Sequence, residues 1–177
     1  MPSIRLSYEE SCRRLQKDYL GDGVIPPLPD HLPRPDDEEP LGVAFFRTFV
    51  GEGDDLSNLF LPHTFFGHSE INDAAFRNTD FTESNLCWND FVDVDFTDAA
   101  LAGSDLRASL FRRVKFIRTD LRRADLRRST FEGCVFEGAL MEGAIITRSQ
   151  KAMMGLSKSQ SDNIAWSDDE GDEPDGG

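Results

Sequence analysis

The chain has 177 residues, with 33 acids against 19 lysines and arginines, and a formal net charge of -14. A field of that sign repels free nucleic acid and anionic membranes, so no direct nucleic-acid or membrane binding is expected. The start MPSIRLSYEE has no secretory core, and the three cysteines (Cys12, Cys87, Cys134) have neither a disulfide framework nor metal-ligand spacing, so the expected setting is the cytoplasm, with no cofactor or metal.

Ser7 to Leu20 reads as a helix. Ser7 and Glu10 have the spacing of a capping box, Tyr8, Cys12, Leu15 and Tyr19 share one face, and Gly21 and Gly23 end it. A helix this short is unstable alone and must dock on something. Residues 24–40 hold six prolines and the acidic run Asp36–Glu39, which suits an extended strap. Leu41–Val50 is apolar and reads as a short strand; Leu41 and Phe46 continue the five-step register, so it reads as an irregular first coil whose job is to cap the open N-terminal end. Residues 1–55 thus form an N-terminal appendage.

From Leu56 to Ile146 every fifth residue is apolar, 19 in succession without an insertion. At a hydrophobic fraction of 38% such a run has a chance of about one in a hundred million. A second column lies two residues before each centre. From Thr64 to Ala144 it holds only Thr, Ser, Ala, Asn, Val and Cys. Two inward columns, one large and one small, fit neither a helix nor a strand. They suit a coil that turns a corner every five residues. Met153, Met154, Leu156, Ile164 and Trp166 are placed to cover the far end, so residues 149–166 read as a C-terminal cap. Residues 167–177 are acidic, with no apolar side chain, and read as disordered.

The string ADLRR STFEG CVFEG ALMEG, preceded by TDFTE SNLCW, resembles the pentapeptide-repeat family. The resemblance covers residues 56–148. It implies an all-β fold, a right-handed quadrilateral β-helix with 20 residues per coil; the pentads present make about four coils, to which the residue patterns add a short N-terminal helix and terminal caps. Residue n then lies under residue n+20. Asp93 falls under Arg113, Asp95 under Lys115, Asp98 under Arg118, Arg112 under Glu132 and Arg122 under Glu142. The basic belt of the middle coils therefore reads as a ladder of ion pairs, or as a surface for an acidic partner.

Arg107, Arg123, Arg127 and Arg128 have no acid one coil away in their own columns. Trp88 has no inward place in the repeat, and His68 lies under it. The expected partner-binding residues are Trp88, Arg107, Arg127, Arg128 and His68, along one edge. The N-terminal helix is the rival occupant of the surface around Trp88. Cys87 reads as a spectator with a reactive thiol as the alternative, Cys134 as a structural inward residue, and Asn89 as a satisfied turn residue. No catalytic constellation is visible: His31, His63 and His68 lack a paired nucleophile, and GEGDD at Gly51 lacks the strand–helix context of a phosphate loop.

These features point to a non-catalytic protein-binding solenoid that neutralises or protects against a protein partner, as an immunity or resistance factor does. The alternative is a DNA-mimicking regulator that binds a type II topoisomerase such as gyrase, which the resemblance suggests and the basic belt opposes. The expected partner is a toxin-like protein or a topoisomerase. Both a monomer and an end-to-end dimer fit.

Overall fold

The computed structural model describes residues 4–18, 44–46 and 49–168. Helix α1 spans Tyr8–Asp18. The capping box forms as the sequence predicts: the Ser7 N–H donates to Glu10 Oε2 at 2.9 Å, and the Glu10 N–H donates to Ser7 Oγ at 3.2 Å. Tyr19, Leu20 and the proline-rich stretch lie outside the described residues.

β1 (Ala44–Phe46) and β2 (Phe49–Asp55) are rungs of the wall, paired parallel with β3 (Phe65–Gly67) and β4 (Glu70–Ala75). In its described residues, Leu41–Val50 forms the irregular first coil that its register suggests. Its register runs 21 residues ahead until a shift between Gly51 and Asp54 restores 20. The cap is α1 instead. Cys12 and Leu15 are buried in the core cluster. Ser11 Oγ accepts the Phe60 N–H at 2.8 Å, the Leu6 N–H donates to Asn58 O at 2.8 Å, and Arg14 donates to Ser57 O at 3.1 Å. A strand edge cannot fill the axis at an open end, whereas the apolar face of a helix can.

Above it the chain coils with an unbroken register of 20. β4, β5 (Asp90–Asp95), β6 (Leu110–Arg112) and β7 (Thr130–Glu132) stack in parallel on one side, so that Ile71, Phe91, Phe111 and Phe131 lie in one column. Isolated bridges link the other columns, for example Asp80–Ala100–Asp120–Leu140. Each of the 19 centres is at most 4% exposed. The phenylalanines concentrate on two adjacent columns. Phe76, Phe96, Phe116 and Phe136 stack at 5.0–5.6 Å, and Phe91, Phe111 and Phe131 at 5.1–5.2 Å. Edge-to-face pairs such as Phe91–Phe96, 5.7 Å, join the two columns.

The small inner column does more than leave room. Its hydroxyls bond between coils: Thr119 Oγ1 donates to Phe96 O at 2.7 Å, and Ser129 Oγ donates to Leu106 O at 2.6 Å while accepting the Ser109 N–H at 3.1 Å. Asn89 joins this column. It accepts the Ser69 N–H at 2.9 Å and donates to Phe66 O at 2.6 Å and Leu86 O at 2.8 Å, so it ties two coils rather than one turn. The residue two past each centre, from Asn58 to Gly143, has positive φ. The left-handed turn makes the corner of the square, and no β-branched residue occurs in that column, since such side chains tolerate this conformation worst.

After β8 (Ile145–Thr147) come a 3-10 turn at Arg148–Gln150, α2 (Lys151–Met154), α3 (Lys158–Asp162) and β9 (Ala165–Ser167), which pairs with β8. Met154 and Ile164 are buried, and Leu156 and Trp166 pack against the core. Met153, also expected to cover this end, points out and is 42% exposed. Ser167, expected to begin the disordered tail, is the last residue of β9, and Asp168 pairs with Arg148 at 3.1 Å. The register of 20 carries on for these two, from Thr147 to Ser167 and from Arg148 to Asp168. No helix of the described residues is long and apolar enough to cross a membrane.

Candidate interaction edge

The register brings the five expected site residues to one edge. His68, Trp88, Ala108 and Arg128 occupy one corner in successive coils, all at positive φ. Cys87, Arg107 and Arg127 stand beside them. The Trp88 ring lies parallel to His68, with centroids 6.1 Å apart and planes at 10°. The bonds of the described residues place α1 over the N-terminal mouth, at Ser57, Asn58 and Phe60.

The premise for Arg107 and Arg127 is corrected. Both have carboxylate partners within their own pentads. Arg107 donates to Asp105 at 2.9 and 2.7 Å, and Arg127 to Asp125 at 3.0 and 2.7 Å. Arg107 Nε also lies 3.7 Å from Asp125, so the four groups form one ladder, with both arginine side chains only 19% exposed. The residues on either side of a buried centre project to the same outer surface, two positions apart. The aspartate is already oriented, because Asp105 accepts the Arg107 N–H at 3.1 Å and Asp125 accepts that of Arg127 at 3.1 Å. Asp120 and Arg122 repeat the arrangement. The signal was the tripeptide Asp-Leu-Arg, present at 105–107, 120–122 and 125–127.

Of the five stacked pairs, three form: Arg113–Asp93 at 2.6 Å, Arg118–Asp98 at 2.8 Å and Arg112–Glu132 at 2.7 Å. Hydrogen bonds from the arginines hold the Asp93 and Asp98 carboxyls below the usual range. Asp95 is taken by Arg77 at 2.9 Å instead of Lys115, and Arg122 turns to Asp120 instead of Glu142. Glu70 and Asp90 face each other in register on β4 and β5, and their neighbours Asp73 and Asp93 add to an acidic sheet face.

Cys87 and Phe65 are buried, although neither has an inward place in the repeat. The Cys87 thiol lies 2.8 Å from Asn85 Oδ1, and burial, with Asp105 nearby, pushes it up to about 12. A thiol so held is protonated at neutral pH and is no nucleophile. Cys134 is half-buried, its Sγ donating to Phe111 O at 3.2 Å. Among the described residues no group of three or more His, Cys, Asp or Glu is placed to hold a metal ion.

Two functional groups went unread in the sequence. Gln150 Nε2 donates to Leu126 O and Ser129 O, both at 2.8 Å, and Gln160 Nε2 donates to Phe136 O at 2.6 Å and Ala139 O at 3.1 Å. They answer carbonyls of the last coil. Their signal was the capping spacing Thr147–Gln150 and Ser157–Gln160.

Comparison with known proteins agrees with this architecture. The family profile for pentapeptide repeats matches in eight copies, over residues 69–107, 90–128 and 109–148. This solenoid belongs to the pentapeptide-repeat family. HetL, a pentapeptide-repeat protein involved in heterocyst differentiation regulation from the cyanobacterium Nostoc sp. strain PCC 7120, superposes with a TM-score of 0.56 at 19% identity. The match covers 59% of this chain and only 49% of HetL, and shows the shared fold. Rfr23 from the cyanobacterium Cyanothece 51142 matches at 13% identity, TM-score 0.38, over 70% of this chain and 88% of its own. QnrB1, a plasmid-mediated fluoroquinolone resistance protein, matches at 13% identity, TM-score 0.29, over 71% and 82%. A comparison with curated protein sequences found no match.

Proposed function

We propose that this solenoid is a non-catalytic binding protein that neutralises or protects a protein partner in the cytoplasm, and that the partner engages the edge of His68, Trp88, Arg107, Arg127 and Arg128. One observation carries the reading. Trp88 occupies a left-handed corner, φ 61°, in a column that otherwise holds Gly, Ala, Asn, Asp, Glu, His and Arg, and it is the largest side chain there. A bulky aromatic there breaks a local rule, and such breaks concentrate where function demands them. The stacked Trp88–His68 pair offers a rigid aromatic anchor, and the Asp105–Arg107 and Asp125–Arg127 pairs stand beside it.

The test is Trp88→Asn with Arg128→Glu, checked for folding by circular dichroism. A partner captured by the wild-type chain from its native host should bind at least tenfold more weakly. Equal binding would place the site elsewhere. The second reading is the DNA mimic that binds a type II topoisomerase, and the in-register Glu70–Asp90 pair favours it, because like charges on neighbouring strands oppose the fold. Inhibition or protection of gyrase in a supercoiling assay, lost in Glu70→Lys with Asp90→Lys, would select it.

A further inference from the structure

The last coil differs from the coils below it in two ways, across the square from Trp88. The first concerns the residue before each centre. In two of the columns below it, aspartates there accept the N–H two residues on: Asp80 from Thr82 at 2.8 Å, Asp95 from Thr97 at 3.0 Å, Asp120 from Arg122 at 3.1 Å, with Ala75, Ala100 and Lys115 in intervening coils. In the last coil those same columns end in Val135 and Leu140, each 42% exposed. Two apolar side chains stand in water where aspartate fits the fold better.

The second concerns the backbone. Phe96 N donates to Lys115 O, Phe116 N to Val135 O and Arg118 N to Glu137 O, all at 2.7–2.8 Å. The next groups in these columns, the N–H of Phe136 and of Gly138, have no partner among the described residues. The chain leaves register at the 3-10 turn Arg148–Gln150, turns at Gly155, φ 60°, which ends α2, and rejoins only where Gly143 N meets Asn163 O at 2.9 Å. A cleft of about 630 Å³ remains between 134–139 and 154–160. Val135, Phe136, Met154 and Leu156 give it apolar walls, and Glu137 is its one charged lining residue.

We propose that this open edge receives one segment of a partner protein that carries apolar residues and a lysine or arginine two positions from one of them. The segment adds a rung: its carbonyls accept the Phe136 and Gly138 N–H groups, its apolar side chains cover Val135 and Leu140, and a lysine or arginine meets Glu137. Charge selects this occupant. Glu142 stands in the next pentad, exposed and with no ion pair among the described residues. Residues 168–177 of the chain hold acids and no base, and a second copy would bring the same acidic end, so both meet like charge. The inference does not rest on the Trp88 edge.

The probe is a displayed library of random octapeptides selected on the whole protein. Wild type should enrich apolar sequences that carry a lysine or arginine, and a synthetic peptide from that pool should slow amide exchange at Phe136 and Gly138. Val135→Asp with Leu140→Asp supplies the aspartate found lower in these columns, so that variant should fold at least as well as wild type yet bind the peptide at least tenfold more weakly. Glu137→Lys should weaken it as well. The proposal is overturned if no such peptide is enriched, if the variants bind it equally, or if the Phe136 and Gly138 amides are protected without peptide in a dimer seen by light scattering.

Discussion

The two ends of the rod are closed by different chemistry. At the N-terminal end α1 supplies apolar mass: Cys12 and Leu15 enter the axis, and Ser11, Leu6 and Arg14 answer the backbone of the first coil. At the C-terminal end two glutamine amides reach in for four carbonyls, Met154 and Ile164 cover part of the axis, and a cleft stays open at Phe136–Gly138. One end is a plug and the other a partial lid. A coil edge can therefore be terminated by apolar packing or by satisfying its polar groups one at a time, and only the second leaves groups over for another strand.

The middle of the rod sets the scale for breaking that comparison. Phe96→Ala removes a ring stacked on both Phe76 and Phe116 and should cost ~3–5 kcal/mol in a urea melt. A loss below ~1 kcal/mol would mean that the axis does not hold the coils. Leu15→Ala comes next, at ~2–5 kcal/mol, because Leu15 is buried in the plug. Amide exchange should then rise first at Leu56–Leu61; a uniform rise would show that the helix is not an end plug. Gln150→Ala leaves two buried carbonyls unanswered and should cost ~1–3 kcal/mol, and Gln160→Ala less, since its site is half-exposed. No loss in either would show that water serves the C-terminal carbonyls as well as the amides do.

The smallest effect is on the side walls. The Asp93 and Asp98 carboxyls are held below their ordinary 3.8 by bonds from Arg113 and Arg118. A carboxyl depressed in the folded state contributes stability above its unfolded value, and that contribution is lost as pH falls through the folded value. The melting temperature owed to these pairs should hold from pH 7 to about 5 and fall only below about 4. Arg113→Ala with Arg118→Ala should flatten that fall and shift the melt at neutral pH little, because the pairs are exposed. A large neutral-pH loss would contradict the exposed geometry.

The axis was legible because period five is carried by burial alone, and 19 unbroken centres leave no other register. From it followed the vertical pairs Asp93–Arg113, Asp98–Arg118 and Arg112–Glu132. What escaped were contacts that the vertical rule does not see. Arg107 and Arg127 find their acids sideways, within one pentad. Asp95 is claimed by Arg77, whose long side chain crosses to another column. The burial of Cys87 also escaped, since an outward place in the repeat does not fix what lies over it. The inner hydroxyl bonds were hidden by the smallness of Ser and Thr, which reads first as a steric requirement. The corner column could have been found, for it holds no Val, Ile or Thr from Asn58 to Gly143.

The unbroken register of 20 gives every surface position an address, a side of the square and a floor. Removing residues 104–123, one whole floor, would set His68 and Trp88 one storey nearer to Arg128 and leave each on its corner. Removing a single pentad, such as 104–108, would instead rotate everything above it by about a quarter turn. Arg128 would leave the tryptophan's corner, and each carboxylate above the cut would face a different neighbour. Length in this molecule can change freely in steps of a full turn, and in smaller steps only at the cost of its whole surface pattern.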